Sequence, residues 1–118
     1  MLTNLKQPAP SPERLDEIFS ALGNTKRRDM IMTLSFRPAT VAQLANEHRL
    51  TLPAIHRHIR DLEQAELIQR KKVGRTNFLA IRRKGLQEAQ SWLGQYRTEW
   101  GNDQETLEYY IRFGNTTT

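Results

Sequence analysis

Residues Thr51 to Ala65, TLPAIHRHIRDLEQA, set the tightest limit on how this chain can fold. Wound as a helix, at about 100° per residue, the stretch puts Ile55, Ile59 and Leu62 on one narrow stripe. Pro53, His56, Arg57, Arg60 and Gln64 fall on the opposite side. Thr51 is a suitable N-cap, and a proline in the first turn loses nothing because its missing N–H would be unpaired there. Such a helix rests on a core by one face and shows a basic, hydrogen-bonding face outward. A solvated charged face is the plain reading of that pattern. The segments on either side turn the reading toward nucleic acid.

Upstream, residues 1–11 carry Pro8 and Pro10 without a hydrophobic period, and a flexible arm is expected there. Ser11-Pro12-Glu13 opens a first helix with Leu15, Ile18, Phe19 and Leu22 on one face and Gly23 as its stop. Asn24 or Thr25 caps a second, with Met30, Ile31 and Leu34 inward. Lys26, Arg27 and Arg28 stand near its start, where cations oppose the helix dipole; phosphate contact is one use for them and plain solvation another. Arg37-Pro38-Ala39 breaks that helix. Thr40 caps a short third one, Val41 to His48, with Val41, Leu44 and Ala45 inward, and Arg49-Leu50 is a tight connection into the helix at Thr51. A short helix, a brief turn and a helix with a polar outer face make a helix-turn-helix.

Downstream, Leu67 to Lys72 and Asn77 to Ile81 read as strands flanking Val73-Gly74-Arg75-Thr76, with Gly74 supplying the positive φ of a hairpin turn. A basic hairpin directly after a basic helix reads as a wing, in preference to an edge ribbon merely guarded by lysines. From Arg83 a helical pattern is expected to run to about Phe113. Leu86, Ala89, Leu93, Tyr96, Trp100, Asp103, Leu107 and Tyr110 recur at spacings of three and four, and Gly101-Asn102 is the place where a bend is expected. The seam suits a second copy of the chain, with the first helix sharing the interface through Leu15, Ile18 and Phe19. Folding back onto its own domain is the competing arrangement. Residues 12–113 thus form one domain, mainly α with a small β-hairpin, and residues 114–118 a frayed tail.

The net charge is +5, and it is unevenly spread. Arg57, Arg60, Arg70, Lys71, Lys72, Arg75, Arg82, Arg83 and Lys84 face only Asp61, Glu63 and Glu66 in that span, whereas beyond Lys84 the acids prevail. One end of the domain is built for an anion. There is no cysteine, hence no disulfide, thiolate metal site or thiol nucleophile. No Gly-rich phosphate loop and no HExxH pair occur, so an enzyme is not expected. Without an apolar leader or a run approaching the ~18 residues of a membrane span, a soluble, cytoplasmic protein is expected, with no membrane partner.

Taken together, ALGNTKRRDMIMTL, TVAQLANEHRLTLPAIHRHIRDLEQAELI and KKVGRTNFLAI resemble the ArsR/SmtB family of winged helix-turn-helix transcriptional regulators, over roughly Leu15 to Trp100. The resemblance implies a homodimer held by its first and last helices on an operator of approximate two-fold symmetry, usually as a repressor released by an effector. Thr51 to Ala65 takes the place of the recognition helix, and Ala54-Ile55-His56-Arg57-His58-Ile59 is similar to the family's A-V-S-R-H-L core, with His56 where serine is common. Leu52 and Pro53 replace polar residues usual at the start of that helix. Many relatives sense metals through a cysteine pair on the third helix or Asp and His ligands on the last. Here VAQLANEH has no cysteine and no histidine lies between Leu86 and Phe113.

The expected division of labour follows. Thr51, Pro53, His56 and Arg57 approach base edges, while Arg60, Lys71, Lys72, Arg75, Lys26 and Arg27 neutralise phosphates. Leu15, Ile18, Phe19, Leu86, Leu93, Tyr96, Trp100 and Leu107 form the dimer interface. No metal site and no cofactor are expected. His56 and His58 lie about 200° apart on a helix and cannot grip one ion together, and His58, beside the apolar stripe, reads as a packed, hydrogen-bonded side chain. Trp92, Tyr96 and Trp100 can line a small apolar ligand space, but the effector is left unknown. The alternative function is a winged-helix module that docks acidic protein partners without sequence-specific DNA binding.

Overall fold

Side-chain caps decide where four of the helices begin. The structure, a computed structural model, describes residues 9–96 and 103–114. Ser11 Oγ accepts the Arg14 N–H at 3.1 Å and opens α1, Pro12–Leu22. Asn24 Oδ1 accepts the Arg27 N–H at 3.0 Å and opens α2, Thr25–Phe36. At Thr40 the bonding is reciprocal: its hydroxyl accepts the Gln43 N–H, and the Gln43 side chain accepts the Thr40 N–H. That capping box starts α3, Val41–Glu47. Thr51 does the same more simply for α4, Leu52–Gln64, accepting the Ala54 N–H at 3.3 Å.

The helix ends are built differently. α3 and α4 both close through a residue in the left-handed region, Arg49 at φ 54° and Glu66 at φ 56°. In each case an N–H reaches five residues back, Leu50 to the Ala45 carbonyl and Leu67 to the Leu62 carbonyl, at 2.9 and 3.0 Å. This is the pairing that glycine usually serves at a helix end.

A three-stranded antiparallel sheet completes the domain in the order β1-β3-β2. The strands are β1, Ala39–Thr40, β2, Ile68–Val73, and β3, Thr76–Ile81. β1 lies in the stretch expected only to break a helix; it exists because Ala39 and Thr40 pair with Leu79 and Phe78. The hairpin register runs from Ile68 opposite Ile81 to Val73 opposite Thr76, which leaves a two-residue turn, Gly74-Arg75. Gly74 has φ 63° and Arg75 does not share the positive sign, the arrangement of a type II′ turn.

Ile18 and Ala21 of α1, Met30 and Leu34 of α2, Leu44 and Ala45 of α3, and Ile55, Ile59 and Leu62 of α4 meet in one core with Leu67, Ile68 and Leu79. The apolar stripe expected on α4 is thus the part that is fully enclosed. Among the described residues no helix is long and apolar enough to cross a membrane.

The last helix is shorter than the seam implied. α5, Arg83–Gly94, ends at Gly94, with Gln95 and Tyr96 making only short i−3 bonds to Trp92 and Leu93. Gly94 is exposed, and a Cβ placed on it would meet nothing within 4 Å. α6, Asp103–Tyr109, begins a separate helix that finishes in a π-helical turn, Tyr110–Gly114. A single stripe from Leu86 to Tyr110 therefore does not form. Trp100, the Gly101-Asn102 bend, most of the N-terminal arm and the tail from 115 lie outside the described residues.

Candidate nucleic-acid interface

On α4 the residues opposite the buried stripe, Pro53, His56, Arg57 and Arg60, are all exposed. Thr51, at the N-cap, is exposed too; its hydroxyl holds the Ala54 N–H with one lone pair, which leaves the proton and the second lone pair for an outside partner. In the hairpin, alternation assigns sides. Ile68, Arg70 and Lys72 share the face carrying buried Leu79, while Lys71 and Val73 share the other with Phe78. Lys71 and Lys72 thus flank the ribbon on opposite faces, and Arg75 sits at its tip. The base of the ribbon is tied to α4 by Arg70, whose guanidinium meets Glu63 at 2.9 Å.

The pairing of charges separates two populations of cations. Arg14, Arg27, Arg37, Arg70, Arg82 and Lys84 each have a carboxylate partner. Among the described residues, Arg57, Arg60, Lys71, Lys72 and Arg75 have none and lie on the outer face of α4 and on the hairpin. Lys26 and Arg28 hold carbonyls instead, and Arg49, Arg83 and Arg112, also without a carboxylate, lie outside those two elements. Uncompensated charge on a protruding helix and ribbon is free to meet an external anion.

Two residues expected at phosphates are otherwise engaged. Arg27 donates to the Ala21 carbonyl at 2.7 Å and the Ser20 carbonyl at 3.1 Å, and also reaches Asp61 and His58 Nδ1, so it fastens α1, α2 and α4 together. Lys26 donates to the His48 carbonyl at the end of α3, and Arg28 to the Leu22 carbonyl at the end of α1. Cations at the start of α2 are thus spent on the negative ends of neighbouring helices, where the dipole favours them. Ile18 needs a correction as well. It is wholly enclosed in the protomer and supports the outer face of α1 from beneath rather than lying on it.

Residues 24–70 match the family described as bacterial regulatory protein, arsR family. The chain is 35% identical to an ArsR family transcriptional regulator of known crystal structure, over 77% of this chain and all of that one, with a TM-score of 0.68. The chain belongs to the ArsR family. It is also similar to the transcriptional repressor SdpR of Bacillus subtilis, 24% identical over 89 residues, covering 75% of this chain and 99% of that protein. An ArsR-like transcriptional regulator from Rhodococcus sp. RHA1 shares the fold at 21% identity and a TM-score of 0.72, over 85% of this chain and 92% of that one. Membership makes the chain a DNA-binding transcriptional regulator and not an enzyme.

Within this ArsR-family domain, two residues on the same surface escaped the sequence reading. Leu52, the first residue of α4, is 58% exposed, an apolar side chain standing free at the N-terminal end of that helix. Its signal was the replacement of a usually polar residue at that position. Arg49, exposed in the left-handed turn between α3 and α4, gave no signal, because nothing local distinguishes it from a solvated arginine. Of the histidines, His56 is exposed on the outer face, while His48 Nε2 lies 3.0 Å from Thr33 Oγ1.

Proposed function

We propose that the chain acts as a homodimeric, sequence-specific repressor that lays α4 of each protomer in a major groove and the β2–β3 hairpin along the flanking backbone. Thr51, Leu52, Pro53, His56 and Arg57 approach base edges, and Arg57 has the planar fork that makes paired bonds to guanine. Arg60, Lys71, Lys72 and Arg75 neutralise phosphates, which supplies affinity without sequence information. Lys26 and Arg27 are left out, because Lys26 is turned to the His48 carbonyl and Arg27 is bound among α1, α2 and α4. The concentration of unpaired cations on one helix face and its adjoining ribbon carries this reading.

The dimer is assigned to α1, α5 and α6. Leu93 and Tyr96 stand exposed at the end of α5, beside Trp92, which packs edge-on against Phe19 at 5.5 Å between ring centres. Leu15 and Leu86 are half-buried and complete that face. Leu107 of α6, with Tyr110 and Ile111 beyond it, is also exposed. Apolar surface on this scale favours a protein partner, and a second copy yields the two-fold pair of α4 helices that a symmetric operator needs, with half-sites about 34 Å apart.

Selection of binding sites from a random duplex pool, repeated at two salt concentrations, tests the whole assignment. A two-fold symmetric consensus with steeply salt-dependent affinity is expected. Weak binding with no enriched site would instead leave a protein-docking winged helix.

A further inference from the structure

α4 has no basic residue in its own last turn, yet its C-terminal carbonyls are not left to solvent. Arg14, from α1, donates to the Gln64 carbonyl at 3.2 Å and to the Ala65 carbonyl at 2.6 Å. The same guanidinium grips Glu88 of α5, from Nε at 3.1 Å and Nη2 at 3.0 Å. Only 13% of its side chain remains exposed. Beside it, Glu66 collects Arg82 at 3.0 Å, Lys84 at 3.1 Å and Arg14 at 3.7 Å. Backbone closes the joint. The Gly85 N–H donates to the Glu66 carbonyl at 2.9 Å, and a Cβ on Gly85 would stand 2.5 Å from the Ala65 oxygen.

We infer that Arg14 is a positioning residue for DNA recognition: by bonding α4, α1 and α5 at one point, it fixes the angle at which the reading helix leaves the dimer platform. The inference rests on the two-half-site reading proposed above. A guanidinium offers its N–H groups in a rigid plane, so α4 cannot swing against α1 or α5 without breaking bonds to one of them. The joint lies at the end of α4 opposite the base-reading residues. A 13-residue helix is about 20 Å long, so a tilt of about 10° at this joint moves its other end by about 3 Å, the span of a hydrogen bond. A single protomer on a single half-site absorbs such a tilt by reorienting as a body. A dimer on two half-sites cannot, because both helices must register at once.

The test uses the full chain and two duplexes of equal length: one bearing the site selected from the random pool, the other with one half-site scrambled. Arg14→Met keeps an unbranched apolar stem and removes the guanidinium donors. It is expected to lower affinity for the complete site by about tenfold or more while changing affinity for the scrambled duplex by less than about twofold. Glu88→Ala cuts only the α5 link and should show the same selective loss, which serves if Arg14→Met does not give a cooperative melt. Equal loss on both duplexes, or an unchanged ratio in the folded variants, overturns the inference. A wild-type protein that binds both duplexes alike overturns instead the two-half-site reading beneath it.

Discussion

The surroundings of His58 favour its neutral form and lower its pKa. Burial at the edge of the α4 stripe lowers its pKa from 6.5 most, and the charges of Arg27 and Arg57 add to this, while Asp61 opposes it and Lys26 contributes least. Its Nδ1 lies 3.3 Å from an Arg27 nitrogen and serves as the acceptor when the ring proton sits on Nε2. The unfolded chain takes up this proton more readily than the folded one, so stability falls as pH drops through 6.5 and levels off below the folded value. Urea midpoints of the wild type should decline over that window, and His58→Gln should remove part of the decline. Glu66 acts in a lower window. Burial pushes its carboxyl up, but the hydrogen bond from Lys84 and the charges of Arg14, Lys84 and Arg82 outweigh this and hold it below 4.5. Its contribution is present above that value and is lost as pH falls through the folded one. On the DNA-facing side, Arg57→Ala is expected to cost about 1–3 kcal/mol on the selected site and to relax one base preference. Lys72→Ala should weaken binding to all sequences alike and lower the salt slope by about one; gel-shift titrations at several salt concentrations separate the two. The outward set on α4 was readable because helical period alone assigns it. The duty of Arg27 was not. Its partners are carbonyls six and seven residues back and an aspartate 34 residues ahead, brought together only by the packing of three helices.

Among the elements, the helix beginnings were legible, as were the stops at Gly23 and Arg37, but the closing devices of α3 and α4, the strand β1 and the end of α5 were not. Ser11, Asn24, Thr40 and Thr51 act on N–H groups three residues away, so their effect is written locally. Arg49 and Glu66 close their helices without glycine, and β1 is two residues long and exists only through its pairing with β3. α5 stops at Gly94 although the apolar spacing continues, because period reports which face is apolar and not whether anything is packed there. Two glycines distinguish backbone from packing costs. A Cβ at Gly74 meets nothing within 4 Å, so Gly74→Ala pays only for its positive φ, about 1–2 kcal/mol. Gly85→Ala drives a methyl against the Ala65 carbonyl and forces α4 and α5 apart. Chemical denaturation should show the larger loss at Gly85, about 2–3 kcal/mol, with the hairpin variant still binding DNA.

For the whole molecule, the apolar residues left uncovered at Leu93 and Tyr96 point to assembly. Leu93→Glu places a charge in the middle of the proposed interface. It is expected to leave the fold intact, shift sedimentation toward the monomer and reduce affinity for a two-half-site duplex far more than for one half-site. The sheet has a further bearing on behaviour in solution. In the order β1-β3-β2, the hairpin's first strand runs along an open border of the sheet, with its outer peptide groups unmatched by another strand. Arg70, Lys71 and Lys72 line that border, and like charges on two such ribbons keep them from zipping together. The lysines assigned to the duplex therefore also protect the unbound protein from itself, and acetylating or neutralising them would trade a regulator that has let go of its operator for one that precipitates.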